Sequence, residues 1–259
     1  MDVISAVILG VIEGITEFLP ISSTGHLILF SKLLSLPDGR FTQTFQIAIQ
    51  SGAMAAVVLL YWKMLLSTPD VWKKVLVAFV PTGFAGFFLY PLFKSVFQSS
   101  MEIVLWSLFL GGAFLIFFEM VYQAKKSVCA NLSEITYHQA FWIGTWQALA
   151  IIPGVSRSAA SIVGGIVMNL DRKLAVEFSF LLAIPTIVIA TAYDLLRHGF
   201  SFSLAEWDIL FLGSVVSFFA ALVGIKFLLE FIKKHNFLYF GFYRIALVLV
   251  FFFLFAISL

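Results

Sequence analysis

Six apolar stretches of about 20 residues, roughly 41–62, 75–97, 101–122, 174–195, 207–230 and 238–258, run through this chain with polar or charged flanks. About 20 residues of helix cross the ~30 Å hydrocarbon core of a bilayer, so each stretch reads as a full membrane span. The 259 residues are 61% hydrophobic and 12% charged, against about 45–50% and about 25% in ordinary soluble domains. A water-soluble core is excluded, and little length is left for a sizeable soluble domain. The formal net charge is +2 and the basic residues are scattered among loops, which sets nucleic acid aside as a partner. Residues 1–19 imitate a signal peptide in hydropathy alone: no Lys or Arg precedes Lys32, and Glu13 and Glu17 interrupt the apolar run. This segment is expected to belong to the mature protein. The single cysteine, Cys129, falls in a polar connection and is expected to be solvated; alone, it forms no intramolecular disulfide.

Two further apolar regions are interrupted. Residues 1–35 are cut at Pro20-Ile21-Ser22-Ser23-Thr24-Gly25-His26, and 135–170 at Pro153-Gly154-Val155-Ser156-Arg157-Ser158. The pieces after the breaks, 27–35 and about 159–170, are too short to cross ~30 Å at ~1.5 Å per residue. Each region reads as a re-entrant hairpin whose irregular tip is covered by protein or lines a wet cavity. The halves also match in sequence. At an offset of 133, Pro20 meets Pro153, Ser23 meets Ser156, Thr24 meets Arg157 and Phe45 meets Phe178, while at 134 Gly10 meets Gly144 and Glu13 meets Gln147. The reading is one membrane domain, 1–259, built from internal repeats 1–125 and 135–259. Three spans follow each hairpin, and three is odd, so the second repeat is inverted. The expected fold is an all-α polytopic membrane protein with an inverted-topology repeat, six full spans and two re-entrant hairpins, and its site lies near the midplane.

Ionisable groups at membrane depth are costly and are functional candidates by default. Here they are Glu13, Glu17, His26, Arg157 and Glu177, with Lys226 and Arg244 close enough to helix ends to snorkel outward. Glu13 and Glu17 stand at i, i+4 on one helical face, a pair suited to holding a divalent cation or sharing a proton. Ser22, Ser23 and Thr24 offer three hydroxyls, and His26 is the base type that activates a serine. That spacing alone is weak evidence, because membrane helices use Ser and Thr to satisfy freed backbone groups. In the second tip Arg157 stands between Ser156 and Ser158 at the start of a helix, where backbone N–H groups and a guanidinium fork suit phosphate; Ser161 extends this face. The bland alternative pairs Arg157 with Glu13 or Glu17 merely to neutralise the repeat interface. Glu177, near the start of a span, reads as structural. Gln46 and Gln50 either line the cavity or tie helices together.

At these residues the chain resembles a known family. Glu13-Gly14-Ile15-Thr16-Glu17-Phe18-Leu19-Pro20-Ile21-Ser22-Ser23-Thr24-Gly25-His26, then Pro153 to Ser158, then Glu177-Phe178-Ser179-Phe180-Leu181-Leu182-Ala183-Ile184-Pro185 look like the undecaprenyl-diphosphate phosphatase family of bacterial bacitracin-resistance proteins. After Ser158 the chain has Ala159-Ala160-Ser161 where that family often shows Gly and then Thr. The resemblance implies hydrolysis of undecaprenyl diphosphate, a divalent cation (Mg or Ca) as cofactor, and a bacterial inner-membrane location with the site opening outward. Carried over, the acidic motif falls on Glu13 and Glu17, the serine-histidine motif on Ser22, Ser23, Thr24 and His26, and the arginine motif on Ser156, Arg157 and Ser158. The expected mechanism has Ser23 attack the terminal phosphorus with His26 as its base and Glu17 orienting it, or His26 or Glu17 activate water with no phosphoserine; Arg157 with Ser22, Thr24, Ser156, Ser158 and Ser161 holds the diphosphate, and Glu13 with Glu17 the metal. Prenyl diphosphate lipid and membrane lipids are the implied partners, with bacitracin competing for the substrate; the oligomeric state is open, a homodimer included. The alternative from another class is a transporter or flippase of a phosphate-headed lipid or an ion, because inverted repeats with paired tips are also a transporter plan.

Loop charges orient the plan. If the first hairpin opens on one side, the opposite side receives Lys63, Lys73, Lys74, Lys125, Lys126, Arg172, Lys173, Lys233 and Lys234, and the first side receives Lys32, Arg40, Lys94 and Arg197. Nine against four makes the former cytoplasmic, so both termini lie outside and the two tips enter from opposite faces. A reporter active only in the cytoplasm, fused to the C-terminus, is expected to be silent; activity there overturns this topology.

Overall fold

The computed structural model describes residues 1–88, 101–122 and 129–257. Residues 89–97 of the second expected span, the last residue of the sixth, and the loop cations Lys94, Lys125 and Lys126 lie outside the described residues. Within them the chain is all-helical: α1 (Val3–Thr16), α2 (Ser23–Leu33), α3 (Arg40–Ser67), α4 (Pro69–Phe88), α5 (Met101–Val121), α6 (Tyr137–Ala148), α7 (Arg157–Val167), α8 (Arg172–His198), α9 (Leu204–Phe231) and α10 (Leu238–Ile257). Helix starts follow from capping chemistry. Asp2, Thr136, Asp171 and Ser203 each accept a backbone N–H three residues on, and Pro69 opens α4 where a missing N–H costs nothing.

Among the described residues, α3, α4, α5, α8 and α9 are long and apolar enough to cross a bilayer; Leu238–Leu254, Val3–Thr16 and Arg157–Val167 are shorter apolar stretches. Large apolar side chains cover the outside, among them Leu66 and Phe87 at 75% exposure, a surface that water does not tolerate in a monomer. The polar groups are turned inward: Glu13, Ser161, Ser179 and Arg244 are fully buried. The chain is a multi-pass membrane protein. The most buried span is α8, with 67% of its most apolar window covered against 28% for α4 and α5, so the other elements gather around it.

The short helices fill the gaps. Helix α2 and helix α7 have 11 residues each, about 16 Å at ~1.5 Å per residue. Helix α1 lies against α9 and helix α6 against α4, both through glycine. A Cβ on Gly10 would fall 2.7 Å from the Gly213 carbonyl oxygen, and one on Gly144 would fall 1.7 Å from that of Ala78. Such close backbone approach is how helices associate where lipid removes the hydrophobic drive. Elsewhere Glu119 on α5 receives Arg172 at 2.7 Å and the Phe237 backbone N–H at 3.0 Å, joining α5 to the starts of α8 and α10.

The offset of 134 read at Gly10 and Glu13 extends through both tips, where the sequence alignment has 133. Val3 and Tyr137 start α1 and α6, Ser23 and Arg157 start α2 and α7, and Leu33 and Val167 end them, each pair 134 residues apart. Ser22 and Ser156, again 134 apart, are both left-handed-side N-caps, with φ of 69° and 78°. Ser22 is thus the counterpart of Ser156, and Ser23 that of Arg157. The shared Pro-x-x-Ser pattern had pulled the alignment one residue out of register. Cys129 is buried, not solvated: at 6% exposure it packs with Leu132 and Ile135 in the main apolar cluster, because the chain after it folds back over helix α6.

Replacing Gly144 with Val is expected to cost about 1–3 kcal/mol of stability, since the added Cβ meets backbone that no rotamer change relieves. Gly86→Val, where nothing lies within 4 Å of the added atom, is the control; equal unfolding midpoints in detergent for the two variants would rule out the tight α4–α6 contact.

Candidate active site

The last turns of α1 carry Glu13 and Glu17 on one face, and the chain then turns through Pro20 to Ser22, whose side chain accepts the Gly25 N–H at 3.2 Å. The second tip repeats this with Ser156 accepting the Ala159 N–H at 3.2 Å. A non-glycine residue at positive φ costs about 1–3 kcal/mol and persists only where its surroundings over-determine it. Both capping serines are so held, and the result is that Ser23 and Arg157 each stand at the first position of a helix whose start faces the other tip. Gly154, at φ +94°, allows the second tip to press against α5: a Cβ there would sit 2.7 Å from that of Ser107.

Between the tips lies one buried hydrogen-bonded array. Arg157 Nη2 donates to Glu17 Oε1 at 2.9 Å, and Ser23 Oγ donates to Glu17 Oε2. Ser158 Oγ donates to the Leu19 carbonyl at 2.8 Å, a second link from tip to tip, and lies 3.0 Å from Ser156 Oγ. Arg157 Nη1 donates to the Ser179 carbonyl at 3.2 Å, and Ser161 Oγ lies 2.6 Å from Ser179 Oγ, so α8 backs the second tip. Two valences stay open in this dry setting. Both Glu13 carboxylate oxygens are buried with no hydrogen-bond partner, and so is Arg157 Nε. Unpaired buried polar atoms are rare and mark places where a ligand, ion or water completes the site.

The residues singled out from sequence therefore converge, with three departures. First, the hydrogen-bond partner of Ser23 is Glu17, not His26. His26 Nδ1 lies 2.8 Å from the Ser22 carbonyl and its Nε2 2.9 Å from the Tyr243 hydroxyl, so both ring nitrogens are engaged elsewhere. Second, Thr24 is exposed and stands apart from the buried array. Third, Arg244 does not snorkel. It is fully buried, and its guanidinium donates to the carbonyls of Ser107, Leu108, Gly154 and Val155 at 2.6–3.2 Å. Its reach is spent inward because α5 and the second tip present four acceptors there. Lys226, by contrast, is exposed as expected.

Tyr243 and Arg244 are the residues that sequence reasoning missed. The signal was there: an arginine seven positions into an apolar helix is a functional candidate by default. Its nearness to the helix start made an outward path look available. Glu177 keeps its structural reading, 4.0 Å from Lys173 at the start of α8. Gln46 donates to Ser31 Oγ at 2.8 Å and Gln50 to the Gln46 carbonyl at 3.3 Å, so Gln46 ties α3 to α2.

The family model described as Bacitracin resistance protein BacA matches residues 6–250. The undecaprenyl-diphosphatase of Aquifex aeolicus is 49% identical over 252 residues, covering 96% of this chain and 98% of the relative. Proteins of the same name from Sulfurihydrogenibium sp. and Wolinella succinogenes are 48% identical (97% of this chain, 99% of theirs) and 47% identical (98% of each). With the match running almost from end to end, the chain belongs to the BacA family of bacitracin-resistance proteins.

Proposed function

We propose that this protein is a membrane phosphatase that hydrolyses undecaprenyl diphosphate to undecaprenyl phosphate and inorganic phosphate, returning the lipid carrier to cell-envelope synthesis. The observation that carries the reading is the buried carboxylate of Glu17 receiving a serine hydroxyl and a guanidinium at once. The name its relatives bear supports the choice of substrate. The geometry favours Glu17 as the base. Ser23 Oγ attacks the terminal phosphorus; its proton passes to Glu17 while the Oγ–P bond forms and the bridging P–O bond breaks, and undecaprenyl phosphate leaves with the electron pair. Glu17 gives this proton up to bulk water and, ionised again, accepts one from the water that attacks the phosphoserine; Ser23 Oγ leaves phosphorus and takes that proton back from Glu17 as inorganic phosphate departs. Arg157 binds the diphosphate by exchanging its carboxylate partner for phosphate oxygens, its unpaired Nε completing the fork. The Ser156 and Ser158 hydroxyls and the first turn of α7 add further donors.

The divalent cation implied by the paired acids fits these residues. Glu13 is fully buried with both oxygens unpaired, one helical turn from Glu17, and no cluster of three or more metal-ligating side chains occurs among the described residues. Mg is commonly held by one or two carboxylates together with substrate phosphates, so Glu13 and Glu17 would hold it. When bound, it supplies neutralisation of the charge on the phosphoryl oxygens.

The same reading includes the inverted-repeat plan with two re-entrant hairpins in a bacterial inner membrane, both termini outside and the site opening outward. The short 11-residue α2 and α7 and the reciprocal packing of α1 on α9 and α6 on α4 support it. Competition with bacitracin for the lipid pyrophosphate follows from the substrate.

Purified protein in detergent is expected to release phosphate from long-chain prenyl diphosphate when Mg or Ca is supplied, and acid-quenched enzyme is expected to carry phosphate on Ser23. Arg157→Ala and Ser23→Ala should each lower kcat/KM by at least about 100-fold. Near-full turnover by Ser23→Ala removes Ser23 as the nucleophile, and no phosphate release at any metal concentration overturns the phosphatase reading.

A further inference from the structure

The guanidinium of Arg244 is a charge sealed inside a membrane protein with no carboxylate against it among the described residues, and it donates only to carbonyl oxygens there. Burying such a group is expensive, and for stability alone an apolar side chain would serve as well. What the arginine does is mechanical. Two of its acceptors, Ser107 and Leu108, belong to helix α5; the other two, Gly154 and Val155, lie just before Ser156 and Arg157. The side chain is therefore a strut between a fixed helix and the backbone of the second tip. Helix α5 is shaped around it, since a Cβ on Gly111 would fall 2.1 Å from Arg244 Nη2.

The preceding residue does the corresponding work on the first tip. A carbonyl oxygen only accepts, so His26 Nδ1, 2.8 Å from Ser22 O, carries the ring proton. Nε2 of the neutral ring is then an acceptor, and the Tyr243 hydroxyl donates to it at 2.9 Å. The two rings lie parallel, 5° apart in plane with centroids at 5.6 Å. One tautomer and one ring orientation are thereby selected, and His26 in turn pins the Ser22 carbonyl, one residue before Ser23. Two consecutive residues of α10 thus grip both tips.

We propose that Tyr243 and Arg244 are positioning residues for phosphoryl transfer: Arg244 sets the backbone that presents Arg157, and Tyr243 sets His26 and through it the turn that presents Ser23. The inference rests on the phosphatase reading. Lysine has one nitrogen and cannot bridge four acceptors spread over two elements, so Arg244→Lys tests the strut while keeping the charge, and Tyr243→Phe removes one hydroxyl while keeping the stacked ring.

The test is the rate of phosphate release from long-chain prenyl diphosphate by wild type, Arg244→Lys, Tyr243→Phe, Arg157→Lys and the Arg244→Lys/Arg157→Lys double variant, alongside unfolding midpoints in detergent. Arg244→Lys is expected to lower kcat/KM by about 100-fold, chiefly through KM. In the double variant the second substitution should add less than about 3-fold, because both act through one guanidinium. Tyr243→Phe should lower kcat by about 3–10-fold, the worth of one hydrogen bond, with KM and midpoint unchanged. Should Arg244→Lys fail to fold, the kcat-against-KM split of Tyr243→Phe decides. Wild-type kinetics in both single variants, or losses that multiply with Arg157→Lys and follow the fall in midpoint, overturn the proposal while leaving the phosphatase intact. A wild-type protein without turnover defeats the phosphatase reading, and this inference with it.

Discussion

Glu17 and Arg157 meet largely shielded from solvent, their side chains 6% and 12% exposed, and that shapes everything around them. Bringing two charges out of water costs several kcal/mol per ion in practice, and their attraction repays this only when geometry is good and the remaining donors and acceptors are filled. Here Glu17 is filled by Arg157 and Ser23, and Arg157 by Glu17 and the Ser179 carbonyl. Ser158 stitches the tips a second time through Leu19 O. A buried pair of this kind is poor evidence for stability, since apolar residues often replace such pairs without loss. It does hold a hydroxyl, a carboxylate and a guanidinium at fixed distance, which is the arrangement the proposed phosphoryl transfer requires.

The two halves use one scaffold for different chemistry. Ser22 and Ser156 make the same strained cap, and the next residue is a hydroxyl in one half and a guanidinium in the other. At the equivalent place one helix earlier, Glu13 keeps both oxygens free. Its counterpart Gln147 instead gives its amide to the Thr82 and Thr186 hydroxyls, at 3.0 and 3.1 Å, joining α6 to α4 and α8. The Gln147 amide nitrogen makes a structural joint, while its Oε1, like both Glu13 oxygens, is buried without a hydrogen-bond partner among the described residues. The two tips share a serine cap at positive φ and a following helix of 11 residues.

Much of this was legible in the residues. The long helices follow from apolar runs with charged flanks, and the tips from Pro, Gly and hydroxyl clusters that no continuous helix accommodates. Membrane depth makes each ionisable side chain conspicuous, which is why Glu13, Glu17, His26 and Arg157 were found. What the sequence did not carry was pairing at long range. Tyr243 lies 217 residues from His26, and Arg244 lies 136 from Leu108; no local spacing encodes such contacts. Proximity of Ser23 to His26 in sequence pointed to a serine–histidine couple, yet within helix α2 the imidazole is directed to Tyr243 on α10 and the hydroxyl to Glu17. The register of the two tips is hidden for a related reason: proline and serine coincide at an offset of 133, while the positive-φ caps Ser22 and Ser156 that correspond in structure are a feature of backbone angle, not of residue type.

The most direct test of the central contact is a double-mutant cycle of unfolding free energy in mixed micelles, using Glu17→Gln, Arg157→Gln and the pair together. If the two charges meet in a dry site, each single change strands the other and the double variant is less destabilised than the sum by about 1–3 kcal/mol. Additive effects would mean that the carboxylate and the guanidinium do not touch, and the tips would then have no shared site.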